Sequence, residues 1–187
     1  NQELKKEWLP QLMEGTKRVA LALDEHTYFD PTAISTTAKS TANGYTLSGK
    51  KTMIIDGASA DAFIVVAKTE EELALFIVAA DSKGIKVTTD VLLDAGTYAT
   101  VVFDQVAVAA TNRISGAGEG AALLNHILNT ASICLSAEML GMVTEAFGQT
   151  VAYLKEREQF GKRIGTYQAL QHRAAIMFSE IELCKSI

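Results

Sequence analysis

The chain has 187 residues, 48% of them hydrophobic, enough to bury one domain and part of a second. A net charge of -5 with 21% charged residues leaves no basic stripe, which excludes DNA and RNA as partners. Apolar runs such as Ala62 to Ala67 and Ala74 to Ala80 are too short to cross a bilayer, so no membrane span is expected.

The opening Asn1-Gln2-Glu3-Leu4-Lys5-Lys6-Glu7 carries no secretory pattern. Leu4, Trp8, Leu9, Leu12 and Met13 then share one helical face that Gly15 ends. A helix this short does not hold alone, and residues 1–15 read as the tail of a preceding helical domain. Residues 16–118 read as successive strands: Val19 to Leu23, Thr36 to Ala42, Tyr45 to Ile55, Ala60 to Lys68, Leu73 to Ala80, Ile85 to Thr89 and Thr97 to Val108. Asn43-Gly44 signals a hairpin with positive φ at both residues. Thr69-Glu70-Glu71-Glu72 forms a solvated turn. Few helical patterns interrupt the strands, so the expected domain is an antiparallel β-sandwich or barrel.

From residue 119 the period changes. Gly120 to about Lys155 has no proline and is apolar almost all round, which calls for other helices around it. Arg157 to Gly165 breaks the pattern, and Thr166 to Ile187 resumes it through Leu170, Ala174, Met177, Ile181 and Cys184. The expected fold class is therefore α+β, ending in two long antiparallel helices of an incomplete four-helix bundle in a fragment of a longer protein. Small residues such as Ala131, Ser132, Ser136 and Gly141 suit close helix approach. Cys134 and Cys184 read as reduced core residues of a cytoplasmic protein.

The segment Tyr153-Leu154-Lys155-Glu156-Arg157-Glu158-Gln159-Phe160-Gly161-Lys162-Arg163-Ile164-Gly165-Thr166-Tyr167-Gln168-Ala169-Leu170-Gln171-His172 closely resembles the Arg-x-x-Phe-Gly…Gln segment of acyl-CoA dehydrogenases. Val102 to Val108 followed by Gly116 to Gly120 resembles that family's passage from last strand to first bundle helix. Gly49-Lys50-Lys51-Thr52-Met53-Ile54-Ile55-Asp56-Gly57 resembles its Gly-x-Lys-x-Trp-Ile-Thr-Asn-Gly, and Lys6 to Pro10 its helix-to-sheet entry. The resemblance runs through nearly the whole chain in order.

What it implies is an FAD-dependent oxidoreductase of fatty acid metabolism. A base takes the α-proton of an acyl-CoA thioester while the β-hydrogen leaves as hydride to flavin N5. FAD crosses an oligomer interface, in a homo- or hetero-oligomer that is a dimer or tetramer. Arg157 would then meet the diphosphate of a neighbour's FAD, with Gln159 and Phe160 beside it and Gln168 at the adenosine end. Without the resemblance, Arg157 and Glu158 read as exposed charges and Phe160-Gly161 as a helix cap.

The flavin-ring end departs from the family. Leu23, Asp24, Met53, Ile54 and Ile55 stand at its ring-binding positions. Met53 replaces a Trp, Ile55 replaces a Thr hydroxyl, and Asp24 puts a carboxylate where a hydroxyl stood. The glycine-rich loop is replaced by Asp24-Glu25-His26-Thr27-Tyr28-Phe29-Asp30, in which Tyr28 and Phe29 fill space; Glu25 persists with a structural role. Ala131 stands where a minority of relatives carry the base, and Ser132 where many carry Arg. No catalytic residue is therefore expected in this chain, the base lying outside it. Asn129 is a candidate contact to the CoA portion, or an ordinary helix-surface residue.

His26, His126 and His172 are dispersed, and no metal is expected. No Gly-x-Ser-x-Gly is present, and Gly116-x-Gly118-x-Gly120 lacks Rossmann spacing and reads as an interdomain connection. Three functions fit: an FAD-dependent acyl-CoA dehydrogenase; a non-catalytic partner subunit lending Arg157 and Gln168 to a neighbour's FAD; and a relative with oxygen-dependent flavin chemistry.

Overall fold

The computed structural model describes residues 1–94 and 96–186. They form two compact units, Asn1–Asn125 and His126–Ile187.

The first unit opens with α1, Gln2–Met13, whose first turn is capped by the Asn1 side chain accepting from the Glu3 and Leu4 N–H groups. Gly15, at φ 69°, ends it as its sequence position predicts. Seven strands follow: β1 (Val19–Ala22), β2 (Thr37–Thr41), β3 (Gly44–Ile55), β4 (Ala62–Lys68), β5 (Leu73–Ala79), β6 (Ile85–Asp90) and β7 (Tyr98–Ala109). Each lies within two residues of its expected bounds, because apolar runs and turn residues alternate sharply here.

These strands build a single sheet in the order β1-β4-β2-β3-β7-β6, with β5 on the other edge of β4. It is not antiparallel throughout: β1 and β2 both pair with β4 in parallel. The two occupy successive stretches of one β4 edge, opposite Ala62–Val65 and Lys68 respectively. The chain must leave the sheet between them, and residues 23–36 form that excursion. It becomes one wall of the candidate site.

The β2–β3 hairpin forms, but its turn differs from expectation. Thr41 pairs with Gly44, leaving Ala42 and Asn43 as the loop. Only Gly44 has positive φ, at 147°, where a Cβ would lie 2.2 Å from the Val108 carbonyl oxygen. Close passage of β7, rather than a type I′ turn, accounts for this glycine.

Phe63, Phe76, Phe103, Leu47, Ile54, Val65 and Val101 are wholly buried in one cluster on the sheet. Each such side chain stabilises the fold by about 1.5–3 kcal/mol.

Helix α2, Gly120–Glu156, is 37 residues long and supplies most of the second unit. A two-strand hairpin, β8 (Glu158–Gln159) and β9 (Lys162–Arg163), links it to α3, Gln168–Cys184. Within the unit the helices are antiparallel: Gly165 meets Leu154 at one end, and Ile181 and Cys184 share a groove with Met139 and Leu140 at the other. Ile187, the expected end of the second helix, lies outside the described residues.

Much of the apolar surface of α2 and α3 is open within the unit, including Ile133, Leu135, Met142, Ile176 and Phe178. Cys134 and Cys184 are exposed rather than in a core, because they lie on helix faces that nothing in the unit covers. Helix α2 contains an 18-residue window of mean hydropathy 1.3, so by length and composition it suffices to cross a membrane, as a bundle helix also can.

Candidate functional site

In the first unit the site begins with a buried charge. The Lys51 side chain of β3 is wholly buried, and an ammonium there requires partners. Its Nζ donates to Glu25 Oε1 at 2.8 Å and to the Leu23 carbonyl at 2.9 Å. Glu25 also accepts from the Ser35 N–H at 2.7 Å, the Thr36 N–H at 2.9 Å and the Ser35 hydroxyl. Burial pushes the Glu25 carboxyl upward, but the bonds from Lys51, Ser35 and Thr36 outweigh it and bring its pKa to about 2. Burial pushes Lys51 downward, against the pull of Glu25 and Asp24. Burial likewise raises Asp24, with Lys51 opposing, and Asp24 Oδ1 is buried without a hydrogen-bond partner among the described residues.

This pair ties both ends of the 23–36 excursion to β3. Thr52 adds two ties, its N–H donating to the Asp24 carbonyl at 2.7 Å and its hydroxyl to the His26 carbonyl at 3.3 Å. Asp30 orders the next turn by accepting from the Thr32 N–H at 3.0 Å and hydroxyl at 2.6 Å. Between these anchors His26 and Tyr28 stack, ring centroids 5.4 Å apart and planes 10° from parallel.

Both rings line an open groove of about 770 Å³. The same groove is lined by Lys50, Thr52 and Met53 of β3, by Thr89, Asp90 and Thr100 of β6 and β7, and by Val91 and Leu92. Met53 reaches it through a β-bulge: the β3–β7 register shifts between Lys51 and Ile54, and Met53 takes φ 52°. Such a bulge re-aims a side chain at the cost of local strain.

The residues expected at the flavin-ring end thus separate. Met53 lines the groove. Leu23 and Ile54 are buried, at 4% and 1% exposure, and the Leu23 carbonyl is taken by Lys51. Ile55 is exposed without lining the groove, and Asp24 sits beside the Lys51–Glu25 pair.

In the second unit Arg157 closes α2, its N–H donating to the Tyr153 carbonyl and its own carbonyl accepting from the Ile164 N–H, both at 2.9 Å. Strands β8 and β9 pair Glu158 with Arg163 and Gln159 with Lys162, leaving Phe160 and Gly161 as the loop. Their φ values of 51° and 76° match a type I′ turn. Phe160-Gly161 therefore tops a hairpin and does not cap α2, which corrects that alternative. A non-glycine residue held left-handed costs about 1–2 kcal/mol, and the Phe160 ring is 90% exposed, so nothing within the unit offsets that strain.

Gln159 is in the hairpin, Gln168 opens α3, and both are exposed. The Arg157 guanidinium makes no salt bridge among the described residues. Lys162 lies 4.3 Å over the Tyr167 ring. The structure thus gathers Arg157, Gln159, Phe160 and Gln168 into one turn region. Asn129 is exposed on α2, about 42 Å along the helix from Arg157 at 1.5 Å per residue.

Sequence reasoning missed His26, Thr52, Thr89 and Thr100 as groove residues, since they come from four separate segments with no shared motif. Lys51 had a signal: it stands at the Lys of the Gly-x-Lys pattern that carries the resemblance. Among the described residues no group of three or more His, Cys, Asp or Glu is placed to hold a metal ion.

Comparison with known proteins adds a family. The model described as acyl-CoA dehydrogenase, middle domain, matches residues 21–106, and that for the acyl-CoA dehydrogenase C-terminal domain matches 118–187. A short/branched chain specific acyl-CoA dehydrogenase of Bos taurus is 29% identical over 98% of this chain and 44% of its own length. An L-prolyl-[peptidyl-carrier protein] dehydrogenase of a Serratia strain is 30% identical over 98% of this chain and 50% of its own. Among solved structures, a glutaryl-CoA dehydrogenase of Mycobacterium smegmatis in complex with FADH2 superposes with TM-score 0.93 at 28% identity. That match covers 98% of this chain and 48% of the other. The chain spans about half the length of the curated relatives it matches.

Proposed function

The chain belongs to the acyl-CoA dehydrogenase family, and from that premise we propose that it is part of an FAD-dependent enzyme that removes the α- and β-hydrogens of an acyl-CoA thioester. One observation carries this reading: an exposed Arg157, unpaired among the described residues, beside a strained, exposed Phe160 on a two-residue turn. Strain of this kind concentrates at ligand sites, and a guanidinium suits a diphosphate.

The residues present fit FAD at the diphosphate end, where Arg157, Gln159, Phe160 and Gln168 would hold a neighbouring protomer's cofactor. At the ring end Met53 and the 770 Å³ groove offer room and the buried Asp24 Oδ1 is an acceptor in need of a donor, while Leu23, Ile54 and Ile55 stand outside the groove lining. When bound, FAD supplies the hydride acceptor. The proton acceptor comes from outside these 187 residues, since Ala131 carries no base. Asn129 is assigned to the CoA portion.

The exposed apolar surfaces of α2 and α3 fit a bundle and an oligomer, so this reading places α2 among helices rather than in a bilayer and the protein in the cytoplasm. It divides the chain at 1–15, 16–118 and 119–187.

A second reading, a non-catalytic partner subunit, is favoured by the losses at the ring end: the 24–30 loop has no glycine, and Ile55 brings no hydroxyl. The absorption spectrum of the purified full-length protein separates the two. The enzyme is expected to carry one flavin per subunit, bleached anaerobically by an acyl-CoA. A protein that stays colourless with added FAD, and gains flavin only with a second subunit, overturns the first reading in favour of the second.

A further inference from the structure

The groove of the first unit has an aromatic wall, made by His26 and Tyr28. His26 and Tyr28 are held there by a rigid mount: the Lys51–Glu25 pair below, Thr52 bonded to the His26 carbonyl, and the Asp30 turn beyond. Their rings are nearly parallel, and Tyr28 keeps 63% of its surface open while lining the groove. A stacked pair with one free face presents a flat, electron-rich surface.

The rest of the groove suits a flat ligand with polar edges. Met53 supplies a soft, polarizable contact; of the lining threonines, Thr52 and Thr100 donate to the His26 carbonyl and to Asp90 and keep acceptor oxygens at the groove, beside the Thr89 hydroxyl. A saturated chain would leave those hydroxyls facing hydrocarbon. A heteroaromatic ring system can cover Tyr28 with its face and meet the threonines with its edge.

We propose that Tyr28, seated on His26, is the stacking platform for the isoalloxazine ring in this chain, a role no other aromatic side chain of the groove takes. The inference rests on the FAD reading above and deepens it. The loop that fills space in the sequence thus becomes a ligand surface. His26 is a positioning residue, keeping the Tyr28 ring at its angle.

The test is titration of the full-length protein with FAD, read by affinity and by emission of the bound flavin, which a stacked tyrosine quenches by electron transfer. Tyr28→Leu should weaken FAD binding about tenfold, in line with aromatic stacking energies, and raise the emission of bound flavin several-fold. Tyr28→Phe should keep the affinity within about threefold, because the ring face remains. His26→Ala should fall between. Tyr28 is exposed, so these variants keep the fold. Unchanged affinity and emission in Tyr28→Leu overturn this inference while leaving the FAD reading intact. A loss of affinity with unchanged emission also overturns it, since loosening of the loop would do as much. A wild-type protein that binds no added FAD overturns both.

Discussion

Lys51 Nζ lies 2.8 Å from Glu25 Oε1, with side-chain exposures of 0% and 3%. The two residues come from β3 and from the loop after β1, and their contact closes the base of the groove. Removing one partner strands the other's charge in the interior. Lys51→Met should therefore destabilise the fold by about 3–5 kcal/mol, measured as a lower denaturant midpoint. The double variant Lys51→Met with Glu25→Leu should recover much of that loss.

Acid should act on the same pair. Against burial, the bonds from Lys51, Ser35 and Thr36 hold the folded-state carboxyl of Glu25 at about 2, below its ordinary 4.5. Between those values the unfolded chain binds more protons than the folded one, so the contribution of Glu25 is full above about pH 4.5 and is lost as pH falls toward 2. Denaturant midpoints followed from pH 6 to about pH 2.5 should decline over that window, and the decline should flatten in Glu25→Gln.

Arg157→Ala should leave stability nearly unchanged, because the residue is exposed and its guanidinium makes no salt bridge among the described residues. Its expected effect is on flavin retention, through loss of a charge-assisted contact of about 1.5–3 kcal/mol. Flavin content after gel filtration checks this, and a variant that retains its full complement would remove the diphosphate assignment. Arg157→Lys should recover only part of the binding, since an ammonium lacks the bidentate fork.

Phe160 should show a trade of stability against binding. Asparagine tolerates the left-handed conformation that Phe160 is held in. Phe160→Asn should therefore raise stability by about 0.5–1 kcal/mol while lowering flavin retention. A variant that gains stability and keeps its flavin would make the phenylalanine a tolerated accident of the turn.

The strands, the two helices and the turn between them were legible in the residues alone. Alternation, apolar runs and turn residues are local signals, and the Arg157–Gln168 segment is continuous, so its four candidate residues stayed together on folding. The Phe160-Gly161 turn was legible as a break but not as a hairpin, because a phenylalanine at positive φ violates the local preference that sequence reasoning relies on.

The groove belongs to tertiary structure. Its wall from residues 26–28, its β3 edge and its β6–β7 side are brought together by pairings far apart in the chain, with β1 and β2 sharing one edge of β4 and β7 lying between β3 and β6. A one-residue bulge then decided that Met53 faces the groove while Ile54 enters the core. Side chains alternate across a strand with period two, so an inserted residue reassigns every face beyond it. No composition or spacing announces that choice; it is made by which strand lies alongside.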